Sequence, residues 1–233
     1  MSDIANPPSY RSLATLVAKA RNEPGRALSH AVALAKGLLY PVLIRSTGHR
    51  FRAGRHLAIF GRLSVRGPGE VVLGDNVALW GRVNAWTYDR GARILVGDRV
   101  MMSGTRFGCA RQIRVGRDCI LADASIRDTD FHSTRADRRS RDAPIRTAPV
   151  EIGANVWVGA QAVLLPGTVV GENSVVGAAA VCMRSFPANK VILGNPAKVA
   201  MPIPTADSGA APIETADGGD AGSDPIPAGA LRV

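Results

Sequence analysis

Aromatic residues make up only 5% of this 233-residue chain, and it has three cysteines and four histidines. Each scarcity narrows the possibilities. With so few rings, a core of stacked aromatic side chains is not expected, whereas 25 glycines favour tight, repeated turns. Cys109, Cys119 and Cys182 are odd in number and show no C-x-x-C spacing, so they read as buried or free thiols in a reducing compartment. The N-terminus, MSDIANPPSYRS, lacks the basic-then-apolar order of a secretory signal, and a cytoplasmic protein is expected. Long apolar runs are also missing. Ala27 to Ile44 comes nearest, but His30, Lys36, Gly37 and Pro41 break it, and it is expected to be too short and too interrupted to cross a bilayer. Acids are few as well: 19 Asp and Glu against 29 Lys and Arg, a net charge of +10 that suits an anionic partner. Nucleic acid is not that partner, because no helix-turn-helix, zinc-finger or aromatic RNA-binding signature is present.

The chain divides into an N-terminal helical segment (1–55), a repeat domain (56–201) and a tail (202–233). The tail is rich in Ala, Gly, Pro, Ser and Asp and almost devoid of large apolar residues, so a disordered tail is expected. It carries five acids against Arg232, which concentrates the positive charge in the remaining body. Ser12 to Ile44 has helical periodicity. Leu13, Leu16, Val17 and Ala20 form one stripe, and Leu28, Ala31, Val32, Ala35 and Leu38–Leu39 continue it beyond Pro24. Arg21, Arg26, Arg45, His49, Arg50, Arg52 and Arg55 flank that stripe. The expected use is packing on the body or on a neighbouring subunit; the other use is peripheral contact with the inner face of an anionic membrane.

From Ile152 the chain falls into sixes: Ile152-Gly-Ala-Asn-Val-Trp, Val158-Gly-Ala-Gln-Ala-Val, Leu164-Leu-Pro-Gly-Thr-Val, Val170-Gly-Glu-Asn-Ser-Val and Val176-Gly-Ala-Ala-Ala-Val. The frame recurs upstream at Leu73, Val96 and Val115. A period of six is neither 2 nor 3.6; it is the signature of a parallel β-helix, an all-β repeat in which three short strands close one triangular coil. The opening aliphatic should point inward and stack every 18 residues, the small fifth residue should fit the corner, and the second-position glycine should permit the turn. Ser133 to Ala148 (STRADRRSRDAPIRTA) is charged and aperiodic, so a loop over 133–149 is expected directly after His132, the one histidine of the repeats. Arg127 occupies a slot where the repeat wants an aliphatic, which points to a distorted frame there.

Three motifs carry a resemblance: Asp128-Thr-Asp-Phe-His132, Ile152-Gly-Ala-Asn-Val-Trp-Val-Gly159 and Gly194-Asn-Pro-Ala-Lys198. In order and spacing the chain from about Glu70 to Met201 resembles the hexapeptide-repeat O-acetyltransferases, in the sugar and polysaccharide branch related to maltose and galactoside acetyltransferases. The resemblance implies a left-handed coil and a homotrimer with sites between subunits. It also implies an acetyl group moved from acetyl-CoA to a saccharide hydroxyl, without a metal. His132 would be the general base, since an imidazole of reference pKa about 6.5 is neutral and basic near pH 7. Asp130, or else Asp128 or a backbone carbonyl, would orient the ring; in a strand Asp130 and His132 would share a face. The matching coenzyme A positions are Ala160 and Ala178 along the pantetheine arm and Arg184 and Lys198 near the phosphates, with Trp157 beside the cleft. Where galactoside-type relatives carry an asparagine and an aspartate against the acceptor, this chain has Ser103 and Ala110, which points away from a simple galactoside or maltose. The basic N-terminal arm and the Asp-x-Asp-x-His variant look more like enzymes that decorate surface polysaccharide or glycolipid. A zinc carbonic anhydrase of the same fold would need three histidines per site, and the repeats hold one. A non-catalytic β-helix scaffold would explain the repeat but not the first and third motifs.

Overall fold

The computed structural model describes residues 23–203. Among these residues a helix, α1 (Pro24–Ser46), precedes a parallel β-helix whose strands fall in turn on three sheets. The first sheet stacks β1 (Arg50–Ala53), β4 (Glu70–Leu73), β7 (Arg93–Val96), β10 (Gln112–Val115), β13 (Val150–Ile152), β16 (Val169–Val170) and β19 (Ser185–Phe186). The second stacks β2 (Ala58–Ile59), β5 (Ala78–Trp80), β8 (Met101–Ser103), β11 (Ile120–Ala122), β14 (Trp157–Val158), β17 (Val175–Val176) and β20 (Lys190–Leu193). An antiparallel β21 (Lys198–Pro202) closes that sheet. The third stacks β3 (Arg62–Arg66), β6 (Arg82–Thr87), β9 (Arg106–Cys109), β12 (Ser125–Arg127), β15 (Val163–Leu164) and β18 (Val181–Cys182). The coil thus starts at Arg50, ahead of the 1–55/56–201 boundary, because β1 already pairs with β4. At the other end Pro202 closes β21, and the rest of the expected tail, from Pro204, lies outside the described residues.

The six-residue frame becomes columns of buried side chains. Leu73, Val96, Val115, Ile152, Val170 and Phe186 stand in register on the first sheet. Leu79, Met102, Leu121, Val158, Val176 and Ile192 do so on the second. The fifth positions Val77, Val100, Cys119, Val156, Ala162, Thr168, Ser174 and Ala180 are all buried, as the small-residue requirement predicts. The hydroxyls among them bond to neighbouring backbone: Thr168 Oγ1 donates to the Cys182 carbonyl (2.9 Å) and Ser174 Oγ to that of Pro187 (3.2 Å). The 18-residue repeat holds from Ile152 to Val170, while earlier coils are longer. One hexad is short by a residue: Leu121 pairs with Val158 but Ile126 with Leu164, so Ile126 takes the inward place and Arg127 points to solvent.

The glycine expectation needs correcting. The left-handed residue of each hexad is the fourth, not the second: Asn76, Arg99, Asp118, Asn155, Gln161, Asn173 and Ala179 all have φ between +54° and +62°. Asparagine tolerates that conformation, and stacked copies bond to one another, Asn155 to Asn173 at 3.1 Å and Asn173 to Asn189 at 3.2 Å. The second-position glycine serves clearance instead. A Cβ on Gly153 would lie 2.6 Å from the Glu172 nitrogen of the next coil, too close for any other residue.

The helix also departs from expectation. The segment expected to be too short and interrupted is a continuous helix of 23 residues with Pro41 inside it, long and apolar enough to meet the requirement for crossing a membrane by length and composition. The supposed interruptions are its contacts with the coil. Gly37 is buried because a Cβ there would fall 1.7 Å from the Leu57 carbonyl oxygen; Lys36 Nζ donates to the Gly61 carbonyl (3.3 Å); and the His30 ring meets Phe60 edge-on, centroids 4.9 Å apart. The stripe Leu13 to Ala20 lies outside the described residues.

Candidate functional site

Between β12 and β13 the chain leaves the corner from the third sheet to the first and returns 22 residues later. An isolated antiparallel bridge, Thr129 to Thr147, closes the base of this loop, which begins at Asp128 and includes His132. The Ala148 N–H donates to the Asp128 carbonyl (2.9 Å) and the Asp130 N–H to that of Arg146 (3.1 Å). His132 sits just past this base with its ring exposed, held by anchored neighbours. On one side Phe131 packs edge-on against Tyr88, centroids 4.9 Å apart, over Gly108, where a Cβ would come within 2.8 Å of the Phe131 ring. On the other side Ser133 is buried and its Oγ accepts the Arg135 N–H. Phe131 has φ +63°, an uncommon conformation for a bulky residue, and it is this turn that swings His132 outward.

The two candidate carboxylates differ. Asp128 is fully buried; its oxygens accept the backbone N–H groups of Ala110 (2.6 Å) and Arg111 (2.7 Å), and the Cys109 thiol donates to it at 3.4 Å. Asp128 therefore braces the coil beneath the loop. Its contact with Cys109, after burial, helps push that thiol far above the ordinary range. Asp130 is half-buried, and its carboxylate forms no hydrogen bond to His132 within the chain. The premise that alternate residues share a face does not apply, because β12 ends at Arg127 and the left-handed Phe131 intervenes.

The remaining expected residues fall on two edges of the coil. Ala160 and Ala178 occupy the corner from the second sheet to the third in successive coils, both exposed, with the Ala160 carbonyl accepting the Ala179 N–H (2.8 Å). The Gly194-Asn-Pro-Ala-Lys turn, which contains a cis Asn195–Pro196 peptide, lies above the same corner, and Lys198 opens β21 on its exposed side. Arg184 lies on the other edge, the one that carries His132, two coils further on, about 10 Å along the axis at ordinary strand spacing. Its guanidinium stacks over Phe186 (5.7 Å) and donates to the Ala197 carbonyl (3.2 Å), which brings it beside Lys198. Trp157 projects outward from the second sheet and is 52% exposed. A single chain therefore brings Arg184 and Lys198 together but leaves His132 a full face away from Ala160, Ala178 and Trp157. Sequence reasoning misses the brace at Asp128 and the Tyr88–Phe131–Gly108 packing. The pairing of Asp128 with Gly108 and Ala110 depends on coil stacking, which no local signal reports.

Residues 149–183 of the chain match the bacterial transferase hexapeptide (six repeats) family. Among curated relatives it is similar to WbbJ of Escherichia coli (strain K12), a candidate lipopolysaccharide biosynthesis O-acetyl transferase. The two are 28% identical over 144 residues, covering 58% of this chain and 73% of the relative. It is also 32% identical over 127 residues to an acetyltransferase candidate of Saccharomyces cerevisiae, covering 52% of this chain and 61% of that protein. In fold it is similar to AntD, an N-acyltransferase of Bacillus cereus solved with dTDP-4-amino-4,6-dideoxyglucose and coenzyme A. The TM-score is 0.55 at 16% identity, over 70% of this chain and 88% of that one.

Proposed function

We propose that the protein is an acetyl-CoA-dependent O-acetyltransferase acting on a saccharide hydroxyl, in the cytoplasm, with His132 as general base. The observation that carries the reading is the exposed His132 side chain, placed between the packed Phe131 and the buried Ser133 on a transferase-type hexapeptide coil. A sugar hydroxyl is a poor nucleophile. As its oxygen bonds to the thioester carbonyl carbon, its proton passes to the imidazole; the carbon–sulfur bond then breaks, and the coenzyme A thiolate leaves and takes a proton from the imidazolium. No covalent enzyme intermediate is needed. Asp130 is the carboxylate nearest in sequence to hold the second ring nitrogen, from a neighbouring conformation or a neighbouring subunit. Arg184 and Lys198, brought together across the Ala197 carbonyl, suit the phosphates of coenzyme A, while Trp157, Ala160 and Ala178 suit its pantetheine arm. Because His132 and those three lie on different faces, the site is completed in a homotrimer by an adjacent chain.

The test is coenzyme A release from acetyl-CoA in the presence of a panel of saccharides, alongside light scattering. The expected result is a trimer with acceptor-dependent turnover that falls about 10²–10⁴-fold in His132→Ala while acetyl-CoA binding is retained. Equal turnover in the variant at saturating substrates refutes the role of His132; no acceptor-dependent release with any saccharide refutes the activity.

A further inference from the structure

Helix α1 is apolar on two sides. Ala33, Gly37, Tyr40 and Ile44 recur at helical spacing on the side that packs against the coil. The opposite side carries Leu28, Val32, Leu39, Val42 and Leu43, with Leu38 beside them, and all six are exposed, from 46% at Val32 to 80% at Leu38. A surface helix ordinarily turns polar residues to water, and a contiguous exposed apolar stripe marks an interaction surface.

Charge selects what covers it. Between Glu23 and Glu70 the sequence holds eight Lys and Arg and no Asp or Glu. Arg52 and Arg55 are paired, with Glu70 and Asp75, but Lys36, Arg45, Arg62 and Arg82 enter no ion pair among the described residues. These four border the stripe. Lys36 and Arg45 flank it on the helix, the Gly61 carbonyl that holds Lys36 immediately precedes Arg62, and Arg82 stacks on Arg62 in the next coil. A second copy of the chain would set this cation-rich surface against its like, whereas anionic headgroups would complement it.

We propose that α1 docks the protein on an anionic membrane, lying along the interface with the Leu28–Leu43 side among the acyl chains and Lys36, Arg45, Arg62 and Arg82 at the headgroups. The inner side is committed to β1 and β2, so within this chain the helix lies on the bilayer instead of crossing it. Docking itself does not depend on acyl transfer. The substrate class it implies, a saccharide held on lipid, does rest on that reading.

The experiment is co-sedimentation of the full chain with vesicles of phosphatidylcholine alone and with added phosphatidylglycerol. Binding is expected only to the anionic vesicles and is expected to weaken as salt rises. Leu39→Glu/Val42→Glu, both changes at exposed positions, should reduce the bound fraction by at least about tenfold. Its melting temperature, oligomeric state and turnover on soluble saccharide should match the parent. Vesicle binding that ignores lipid charge, or survives the double substitution, overturns the proposal. A drop in oligomeric state in the double variant assigns the face to a second copy, and vesicle binding that emerges only when residues 1–22 are removed assigns it to that segment; either result also overturns the proposal. Turnover on soluble saccharide is read separately, so its absence bears on the acyl transfer and not on the docking.

Discussion

Replacing Asp128 with Asn tests whether this carboxylate braces the coil or serves the histidine four residues on. The side chain is fully buried and accepts two backbone N–H groups, at 2.6 Å from Ala110 and 2.7 Å from Arg111. Asparagine fits the same space but offers one acceptor oxygen, so one of the two N–H groups then faces an NH2. A buried donor left unsatisfied costs about 1–3 kcal/mol, and the surviving bond loses its charge assistance, which roughly halves it. The sum is about 2–4 kcal/mol. For a folded body of this size, each kcal/mol lowers the melting temperature by about 2–4 °C, so Asp128→Asn should melt roughly 5–15 °C earlier. Thermal melts followed by circular dichroism measure this, with turnover assayed well below both transitions, where the variant should remain close to the parent. Were Asp128 the group that orients His132, the pattern would be reversed: an unchanged melting temperature with turnover lower by orders of magnitude. That result would refute the assignment of Asp128 as a brace.

Arg184→Ala and Lys198→Ala should each raise KM for acetyl-CoA while leaving kcat nearly intact, the opposite split from His132→Ala, as steady-state kinetics over a range of acetyl-CoA will show. The three cysteines should be inert to a thiol reagent near pH 8. Burial pushes Cys119 up to about 11 and Cys182 up to about 12, and Cys109 higher still, so all three stay protonated, and thiol should titrate only after unfolding. Asp75 and Asp118 are held below the usual carboxylate range by hydrogen bonds from Arg55 and Arg99. Their contribution is therefore complete near neutral pH and fades as the pH falls through their lowered values, below about 4, which a melting series in acid will register as a small early loss.

The parts of this fold written in the sequence are those governed by a side chain's own type and period. Opening aliphatics and small fifth residues repeat every six positions because each coil must bury the same places, and both columns are legible from residue type and spacing alone. Inter-coil features cannot be read that way. The second glycine is fixed by the backbone of the coil above it, and from the sequence alone that is indistinguishable from a glycine required for a turn. In α1, His30, Lys36 and Gly37 look like defects in an apolar run until the coil beside them is known; each then has a partner in Phe60, Gly61 or Leu57.

The histidine shows the same limit most clearly. Its place after the repeat and before a charged loop singles it out, but strand alternation can say which side it faces only where the backbone is extended. A left-handed Phe131 breaks that premise, and the ring that forces the turn is held by Tyr88 and by the bare backbone of Gly108, residues 43 and 23 positions away. Local pattern therefore identifies which residue reaches solvent, whereas distant packing decides where it reaches. The same reasoning extends beyond one chain. His132 lies on one edge of a three-sided coil, while Ala160 and Ala178 lie on the next, and a rigid stack of short strands has no hinge by which one edge could fold onto the other. On the proposed reading, only an edge supplied by a neighbouring subunit can complete the constellation, so turnover per chain should fall with dissociation of the oligomer even though each chain's own columns stay packed.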